Sequence, residues 1–236
     1  MKRKLPAAVI ALGVVSLLTD AASEMIMPLL PVFLGMLGAG ATFIGLVDGV
    51  ADTTAAFVKL ASGAASDRAR TKKPFVILGY GIASAVRPLV ALATAPWHVL
   101  AVRFTDRIGK GLRASPRDAL LASAIEPEQR GRAFGFHRAM DHAGAVIGPL
   151  AALALLRWAG VSYRTVFALA AIPGGLAVAM LVFGVREKPG PGSGSGSGWR
   201  ERFGFVGKPV GARFKRYLVV LGVYTLAAST DTFLIV

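Results

Sequence analysis

The sequence GAASDRARTKK, residues 63–73, connects two apolar stretches that run from Ala41 to Ala64 and from Pro74 to Thr94. Each stretch reaches the roughly 20 residues that an α-helix needs to cross a bilayer at a rise of about 1.5 Å per residue. Lysine and arginine are concentrated in the connection between them. The pattern predicts two membrane-spanning helices joined by a short basic turn.

Five more apolar stretches flank this pair, and they run from Ala7 to Leu34, Trp97 to Leu112, Ala133 to Leu156, Tyr163 to Val185 and Tyr217 to Val236. The chain is 54% hydrophobic and 17% charged, which excludes an ordinary soluble globule and an intrinsically disordered chain. It has no cysteine, so disulfides and thiolate metal sites are excluded as well. The sequence therefore predicts an all-α membrane protein.

The basic residues alternate between connections. They fall at residues 2–4, 68–73, 113–132 and 186–216, whereas residues 35–42 and 95–98 contain no lysine or arginine. Lysine and arginine concentrate on the cytoplasmic side of membrane proteins, so we expect a multi-pass protein with a cytoplasmic N-terminus. Basic residues at the cytoplasmic face of the lipid bilayer also account for the net charge of +14, so no nucleic-acid partner is expected.

The chain divides into three parts by composition. Residues 1–185 carry six of the apolar stretches, residues 186–216 form a basic connection with a Gly/Ser-rich segment, and residues 217–236 hold the seventh. A Gly/Ser-rich segment behaves as a flexible linker. We expect a six-helix transmembrane lobe, a cytoplasmic linker, and the first helix of a second lobe whose remainder lies in a longer protein.

Ionisable residues interrupt the apolar stretches. An unpaired charge at the centre of a membrane helix costs at least ~2.5–3.5 kcal/mol, so such residues are candidates for function. The acids are Asp20, Glu24, Asp48, Asp52, Asp106, Asp141 and Asp231, and the bases are Lys59, Arg87, Arg103, Arg107, Lys110 and Arg138, together with His137 and His142. The near balance of acids and bases favours charges that face an interior cavity.

The spacing of these charges suggests a proton site. Asp20 and Glu24 lie four residues apart, on one face of a helix, and two ionised acids at that distance repel each other. Repulsion favours protonation of one of them, so we interpret this pair as the site of proton and substrate coupling. Asp52, Asp141 and His142 are auxiliary candidates. The alternative is a set of static salt bridges between helices.

Two motifs resemble those of the major facilitator superfamily. Residues 63–73 resemble its signature loop between the second and third helices, with Gly63, Asp67, Arg68 and Lys72 at the matching positions. The sequence Gly144-Ala145-Val146-Ile147-Gly148-Pro149 resembles the fifth-helix motif of the superfamily's drug/proton antiporters. Arg103 or Arg107 resembles the buried arginine of the fourth helix. The run from Asp106 to Asp118 is similar to a bacterial exporter branch.

The resemblance implies a six-helix N-terminal lobe built of 3+3 inverted repeats, in a bacterial inner membrane. It implies a secondary active transporter that exports a small organic compound in exchange for protons by alternating access, without a cofactor. Gly63, Asp67, Arg68 and Lys72 would then form a cytoplasmic gate. Gly144, Gly148 and Pro149 would form a packing hinge, and Arg103 and Arg107 would act on the coupling acids.

Three other functions are compatible with parts of the sequence. Asp20, His137, Asp141 and His142 are oxygen and nitrogen ligands for a metal or metal-chelate exporter, but His137 and His142 diverge by about 140° around a helix. Another solute carrier of the same superfamily is a further alternative. Asp48 with Asp67 partly resembles a membrane phosphotransferase, which needs four carboxylates rather than two. No resident metal and no enzymatic activity are expected.

Overall fold

The computed structural model describes residues 5–185 together with the single residues 187, 216 and 220. Two compact units divide the chain, Met1–Gly192 and Ser193–Val236, and the helices below belong to the first unit. Apart from those single residues, the linker predicted over 186–216 and the helix predicted over 217–236, with Asp231, lie outside the described residues.

Every regular element in residues 5–185 is helical. The α-helices are α1 (Ala7–Glu24), α2 (Leu30–Met36), α3 (Ala41–Arg68), α4 (Lys73–Val86), α5 (Pro96–Ser123), α6 (Arg130–Trp158), α7 (Tyr163–Leu169) and α8 (Ala171–Gly184). Short 3-10 helices at Met27–Leu29, Arg87–Leu92 and Pro127–Gln129 extend or connect them. They form six spans, because α1 with α2, and α7 with α8, each occupy one predicted stretch.

Prolines explain two of the breaks within spans. Pro28 lies in the 3-10 helix between α1 and α2, and Pro88 lies in the one that follows α4. Proline lacks the amide proton that an α-helix requires, so the chain tightens or ends a helix at these points. The break at Ala170 between α7 and α8 lies three residues before Pro173. The predicted spans are therefore present, and three of them are interrupted within their length.

Five of the described spans are long and apolar enough to cross a membrane, and they are Ala7–Met36, Ala41–Arg68, Lys73–Leu92, Pro127–Trp158 and Tyr163–Gly184. The fourth predicted stretch, Trp97 to Leu112, does not qualify by composition. It belongs to a helix of 28 residues, α5, whose charged side chains are largely buried against other helices. The prediction of an apolar span is corrected to a polar central helix.

The contacts between spans are symmetric. Span 1 packs on span 5 and span 4 on span 2, while span 3 packs on span 4 and span 6 on span 1. If spans 1, 2 and 3 exchange places with spans 4, 5 and 6, the pair 1–5 becomes 4–2 and the pair 3–4 becomes 6–1. A unit of three crossings ends on the opposite side of the membrane, so two such units run inverted relative to each other. The pairing therefore matches a six-helix lobe of 3+3 inverted repeats.

Apolar side chains form two clusters that are separated along the helices by polar residues. In span 1, Val9 to Val15 belong to one cluster and Met25 to Leu34 to the other, and Asp20 lies between them. In α5, Val99 and Leu120 mark the same two clusters. Large apolar side chains such as those of Phe57, Leu60, Trp158 and Phe183 cover the outer surface, as a bilayer requires.

Glycines on α6 allow its backbone to touch α1. A Cβ atom at Gly148 would lie 2.6 Å from the Ala21 carbonyl oxygen and 2.9 Å from the Glu24 Cβ. A Cβ at Gly144 would collide with the Leu17 carbonyl and lie 3.1 Å from the Asp20 Cβ. The two glycines thus bring α6 against the helical turns of α1 that carry the predicted coupling acids.

The signature stretch lies partly on a helix. Because α3 continues to Arg68, Gly63 and Asp67 lie on its last turns, and Lys72 is the residue that precedes α4. Glu187 is remote in sequence, yet its carboxylate accepts hydrogen bonds of 2.8–2.9 Å from the backbone amides of Lys72 and Lys73. It stabilises the otherwise unpaired amides at the start of α4.

Replacing Gly148 with alanine is expected to lower the free energy of unfolding by about 1–3 kcal/mol, because the added methyl group forces α6 away from α1. The measurement is thermal unfolding of the full-length natural protein in detergent. Gly135→Ala is the control on the same helix, since a Cβ there meets no atom within 4 Å. An equal melting temperature for the two variants would contradict the close contact.

Glu187→Gln is expected to cost about 1–2 kcal/mol of stability, because the amides of Lys72 and Lys73 lose a charged acceptor at a helix N-terminus. Glu128→Gln serves as the matched control in an exposed first turn before α6. The same unfolding assay compares the two variants. A loss of stability as large for Glu128→Gln as for Glu187→Gln would show that the contact made by Glu187 is not responsible.

Candidate functional site

A buried ion-pair network is centred on Asp106 of α5. The Arg87 Nε donates to Asp106 Oδ1 at 2.7 Å, and Arg103 NH1 lies 3.9 Å from Asp106 Oδ2. Arg87 also donates to the Thr19 carbonyl at 3.1 Å. The side chains of Arg87 and Asp106 are 7% and 3% exposed. The network therefore ties α1 and the end of α4 to α5.

The network extends from α5 to α3. Arg103 NH2 donates to Asp48 Oδ1 at 3.1 Å, and Arg107 Nε lies 3.6 Å from Asp52 Oδ1. The Asp52 side chain is 73% exposed, whereas the two arginines are buried. Three of the predicted site residues, Asp52, Arg103 and Arg107, thus take part in ion pairs between helices.

A cavity of about 410 Å³ lies beside this network. Residues of α1, α3, α5 and α6 line it, with small side chains along the last three. Its ionisable lining consists of the acids Asp20, Glu24 and Asp141, the bases Lys59, Lys110, Arg113, Arg117 and Arg138, and His142. The cavity is therefore strongly polar although it lies within an apolar bundle.

Four predicted site residues line this cavity: Asp20, Glu24, Asp141 and His142. Asp141 accepts a short hydrogen bond from Ser16 of α1 and lies 3.5 Å from His137 Nδ1. Asp20 is close enough to Asp141 and Lys110 for their charges to interact. The structure thus brings the predicted acids of α1 together with the acid of α6 at one cavity.

Two cavity-lining arginines, Arg113 and Arg117, were missed by the sequence analysis. The fourth apolar stretch ends at Leu112, but α5 continues to Ser123. The signal was present, because charged residues recur every three or four positions from Arg103 to Arg117 and so share one face of a helix. The polar stripe, rather than the end of the apolar run, marks the extent of this helix.

Arg113 is the most enclosed base of the cavity. It is 5% exposed, its guanidinium lies 4.3 Å from the centre of the Tyr80 ring, and its NH1 has no hydrogen-bond partner within the described part of the chain. Arg117, by contrast, pairs with the neighbouring Asp118 at 3.0 Å. A buried guanidinium nitrogen without an acceptor is costly, so Arg113 keeps an unsatisfied donor beside the cavity.

The motif residues lie outside the cavity lining. Gly63 contacts Ser115 of α5, where a Cβ would lie 3.2 Å from the hydroxyl, and Asp67 and Arg68 are exposed at the end of α3. Gly144 and Gly148 hold α6 against α1, and Pro149 lies within α6. In residues 5–185 and 187, no three histidine or acidic side chains are grouped as metal ligands would be.

The sequence model of the Major Facilitator Superfamily matches residues 12–236. The chain belongs to this superfamily. An uncharacterized MFS-type transporter of Methanocaldococcus jannaschii is 33% identical over 225 residues, which cover 95% of this chain and 55% of the relative. The multidrug resistance protein MdtH of Salmonella arizonae is 32% identical over 62% of this chain and 36% of its own length. The chain spans about half the length of the curated relatives it matches.

Solved transporters share the fold. A bacterial homologue of the human lysosomal transporter Spinster, in an inward-facing and unoccupied conformation, aligns with a TM-score of 0.68 at 19% identity, over 86% of this chain and 48% of its own. A POT family transporter in complex with 5-aminolevulinic acid aligns with a TM-score of 0.69 at 19% identity, over 98% and 49%. The predicted superfamily and the six-helix N-terminal lobe are confirmed, and the family is one of transporters rather than enzymes.

Asp106→Asn is expected to destabilise the protein by about 3–5 kcal/mol, because Arg87 and Arg103 would remain buried without their shared carboxylate. Thermal unfolding of the full-length natural protein measures the effect. The control on the same helix is Asp118→Asn, whose side chain is 45% exposed and whose ion pair contributes at most about 1 kcal/mol. Similar melting temperatures for both variants would contradict a structural role of the network.

Proposed function

We propose that this chain forms the N-terminal lobe of a secondary active transporter that exports a small organic compound in exchange for protons by alternating access. The observation that supports this proposal is the cavity of about 410 Å³ with Asp20 and Glu24 at its wall. A cavity of this size is large enough for a small organic molecule. Carboxylates in such a cavity can carry either a proton or a substrate cation.

Exchange follows from competition at these acids. A proton that binds Asp20 or Glu24 removes the negative charge that holds a cationic group, so the substrate leaves when the proton arrives. Among residues 5–185 and 187, neither acid forms an ion pair within 4 Å. We assign them the coupling role, and Asp141 and His142 an auxiliary role at the same wall.

The ion-pair network lies beside the cavity and contributes to its electrostatics. Arg103 and Arg107 neutralise Asp48 and Asp52, and we propose that they also set the electrostatic potential at the coupling acids. We further propose that Gly63, Asp67, Arg68 and Lys72 belong to a cytoplasmic gate, since they lie where α3 ends and α4 begins. Gly144, Gly148 and Pro149 would act as the hinge by which α6 moves against α1.

The location proposed for the protein is a bacterial inner membrane, with the N-terminus in the cytoplasm. Basic residues on alternate connections support this orientation. We propose the three-part organisation into a lobe over 1–185, a cytoplasmic linker over 186–216 and the first helix of a second lobe over 217–236. Substrate and protons are then the soluble partners, and the second lobe completes the transport path.

Asp20→Asn tests the coupling role. Everted membrane vesicles that contain the full-length natural protein are energised, and uptake of two fluorescent dyes is recorded: ethidium, which is cationic, and rhodamine B, which carries both charges. We expect gradient-driven uptake of at least one dye by the natural protein and at least a tenfold slower uptake by Asp20→Asn. The physical reason is that an amide cannot exchange a proton in the physiological range.

Asp118→Asn is the matched control, because it removes a carboxylate from α5 that does not line the cavity. Its uptake should equal that of the natural protein, and a protonophore should abolish both. Undiminished gradient-driven uptake by Asp20→Asn would exclude that residue as the coupling site. If the natural protein moved neither dye, or moved them equally without a gradient, proton-coupled export itself would be rejected.

A further inference from the structure

The cavity separates its charges by helix. The acids without an ion-pair partner, Asp20 and Glu24, are on α1, whereas Lys59 is on α3 and Lys110 and Arg113 are on α5. Lysine and arginine of α3 and α5 therefore form a basic wall, the α1 wall is acidic, and α6 contributes both Arg138 and Asp141. A ligand in this space meets an electric dipole rather than a uniform field.

The opposite charges of the cavity form no direct ion pairs across it. Within residues 5–185 and 187, no ion pair of 4 Å or less joins Asp20 or Glu24 to Lys59, Lys110 or Arg138. In the neighbouring network, by contrast, four charged groups form ion pairs of 2.7–3.9 Å: Arg87, Arg103, Asp48 and Asp106. Unpaired charges of both signs around one space leave binding capacity of both signs for a ligand.

Arg113 adds an independent observation. Its side chain is almost fully buried, it lines the cavity, and its NH1 lacks an acceptor. Its guanidinium lies over the Tyr80 ring, which attracts the cation but is not a carboxylate or carbonyl acceptor. Among the described residues, no carboxylate forms an ion pair with Arg113 within 4 Å. Its positive charge at the cavity therefore favours an anionic group of a ligand.

We propose that the transported compound is dipolar, with a cationic group that binds Asp20 and Glu24 and an anionic group that binds Lys110, Arg113 and Arg138. This inference rests on the proposed transport function and specifies the substrate class of the same cavity. Proton exchange is retained, because a proton on the α1 acids displaces the cationic group. The anionic group determines selectivity, because a compound with the cation alone leaves the basic wall without a counter-charge.

A matched pair of dyes tests the proposal. Rhodamine B carries a carboxylate and a delocalised cation, and its ethyl ester differs only in that the carboxylate is masked. Binding of each dye to the purified full-length natural protein is measured by fluorescence anisotropy, corrected for dye bound to empty micelles. We expect rhodamine B to bind about tenfold more tightly than the ester, since a charge-assisted contact to the basic wall is lost in the ester.

Two substitutions locate the carboxylate. Arg138→Gln and Lys110→Gln should each weaken binding of rhodamine B about tenfold and should not weaken binding of the ester, which has no anionic group. A variant that failed to fold would lose both dyes, so the selective loss separates recognition from stability. Arg157→Gln is the control, because Arg157 is an exposed arginine in the last turn of α6 and does not line the cavity.

The proposal is overturned if the ester binds as tightly as rhodamine B, if both substitutions weaken the two dyes equally or not at all, or if neither dye binds. These results are distinct from failure of the transport proposal, because the binding assay involves no gradient. Selective binding of rhodamine B with undiminished coupling in Asp20→Asn would reject the coupling role of Asp20 alone. Coupled export of ethidium without selectivity for the carboxylate would reject the dipolar substrate alone.

Discussion

The ion pair between Arg87 and Asp106 constrains how the helices of this lobe can pack. Both side chains are almost completely buried, and a guanidinium or a carboxylate left alone in an apolar bundle would cost several kcal/mol. The span that contains α4 must therefore meet α5 in the register that joins these two residues. The bond from Arg87 to the Thr19 carbonyl adds α1 to the same point. Arg87 thus links three spans through its bonds to Asp106 and to Thr19.

The rest of the packing accommodates this polar centre. Apolar clusters lie on either side of it along the helices, so the bilayer-spanning bundle is held together by dispersion contacts at two levels and by ion pairs between them. Glycines reduce the distance between helices, as at Gly109 of α5, where a Cβ would lie 2.7 Å from the Gly79 carbonyl of α4. Close backbone contact and buried ion pairs thus drive the association of these helices, whereas the hydrophobic effect drives association in soluble bundles.

Much of this could be predicted from the sequence, because apolar length and buried charge leave a direct signature in a chain. The positions of the spans and the polar faces of α1, α5 and α6 follow from the residue pattern. Pro28 and the charged stripe of α5 are local signals for the first break and for the extension towards Ser123, whereas the break at Ala170 did not follow, since helix ends depend on which neighbours satisfy the backbone. The contact of Glu187 with the start of α4 joins residues more than a hundred positions apart, and no local pattern indicates it. Which acids would pair and which would face the cavity also depended on the arrangement of helices rather than on spacing.

The glycines of α6 connect the packing of the lobe to its cavity. Gly144 and Gly148 contact the two turns of α1 that carry Asp20 and Glu24, with distances of 3.1 and 2.9 Å from a Cβ at each glycine to the Cβ of the acid. Asp141 of the same helix is hydrogen-bonded to Ser16 one turn before Asp20. Any displacement of α6 relative to α1 must therefore alter the surroundings of both acids, because their Cβ atoms form part of the interface. A helix interface that includes the proton-binding candidates provides a direct physical route by which protonation and helix movement can influence each other.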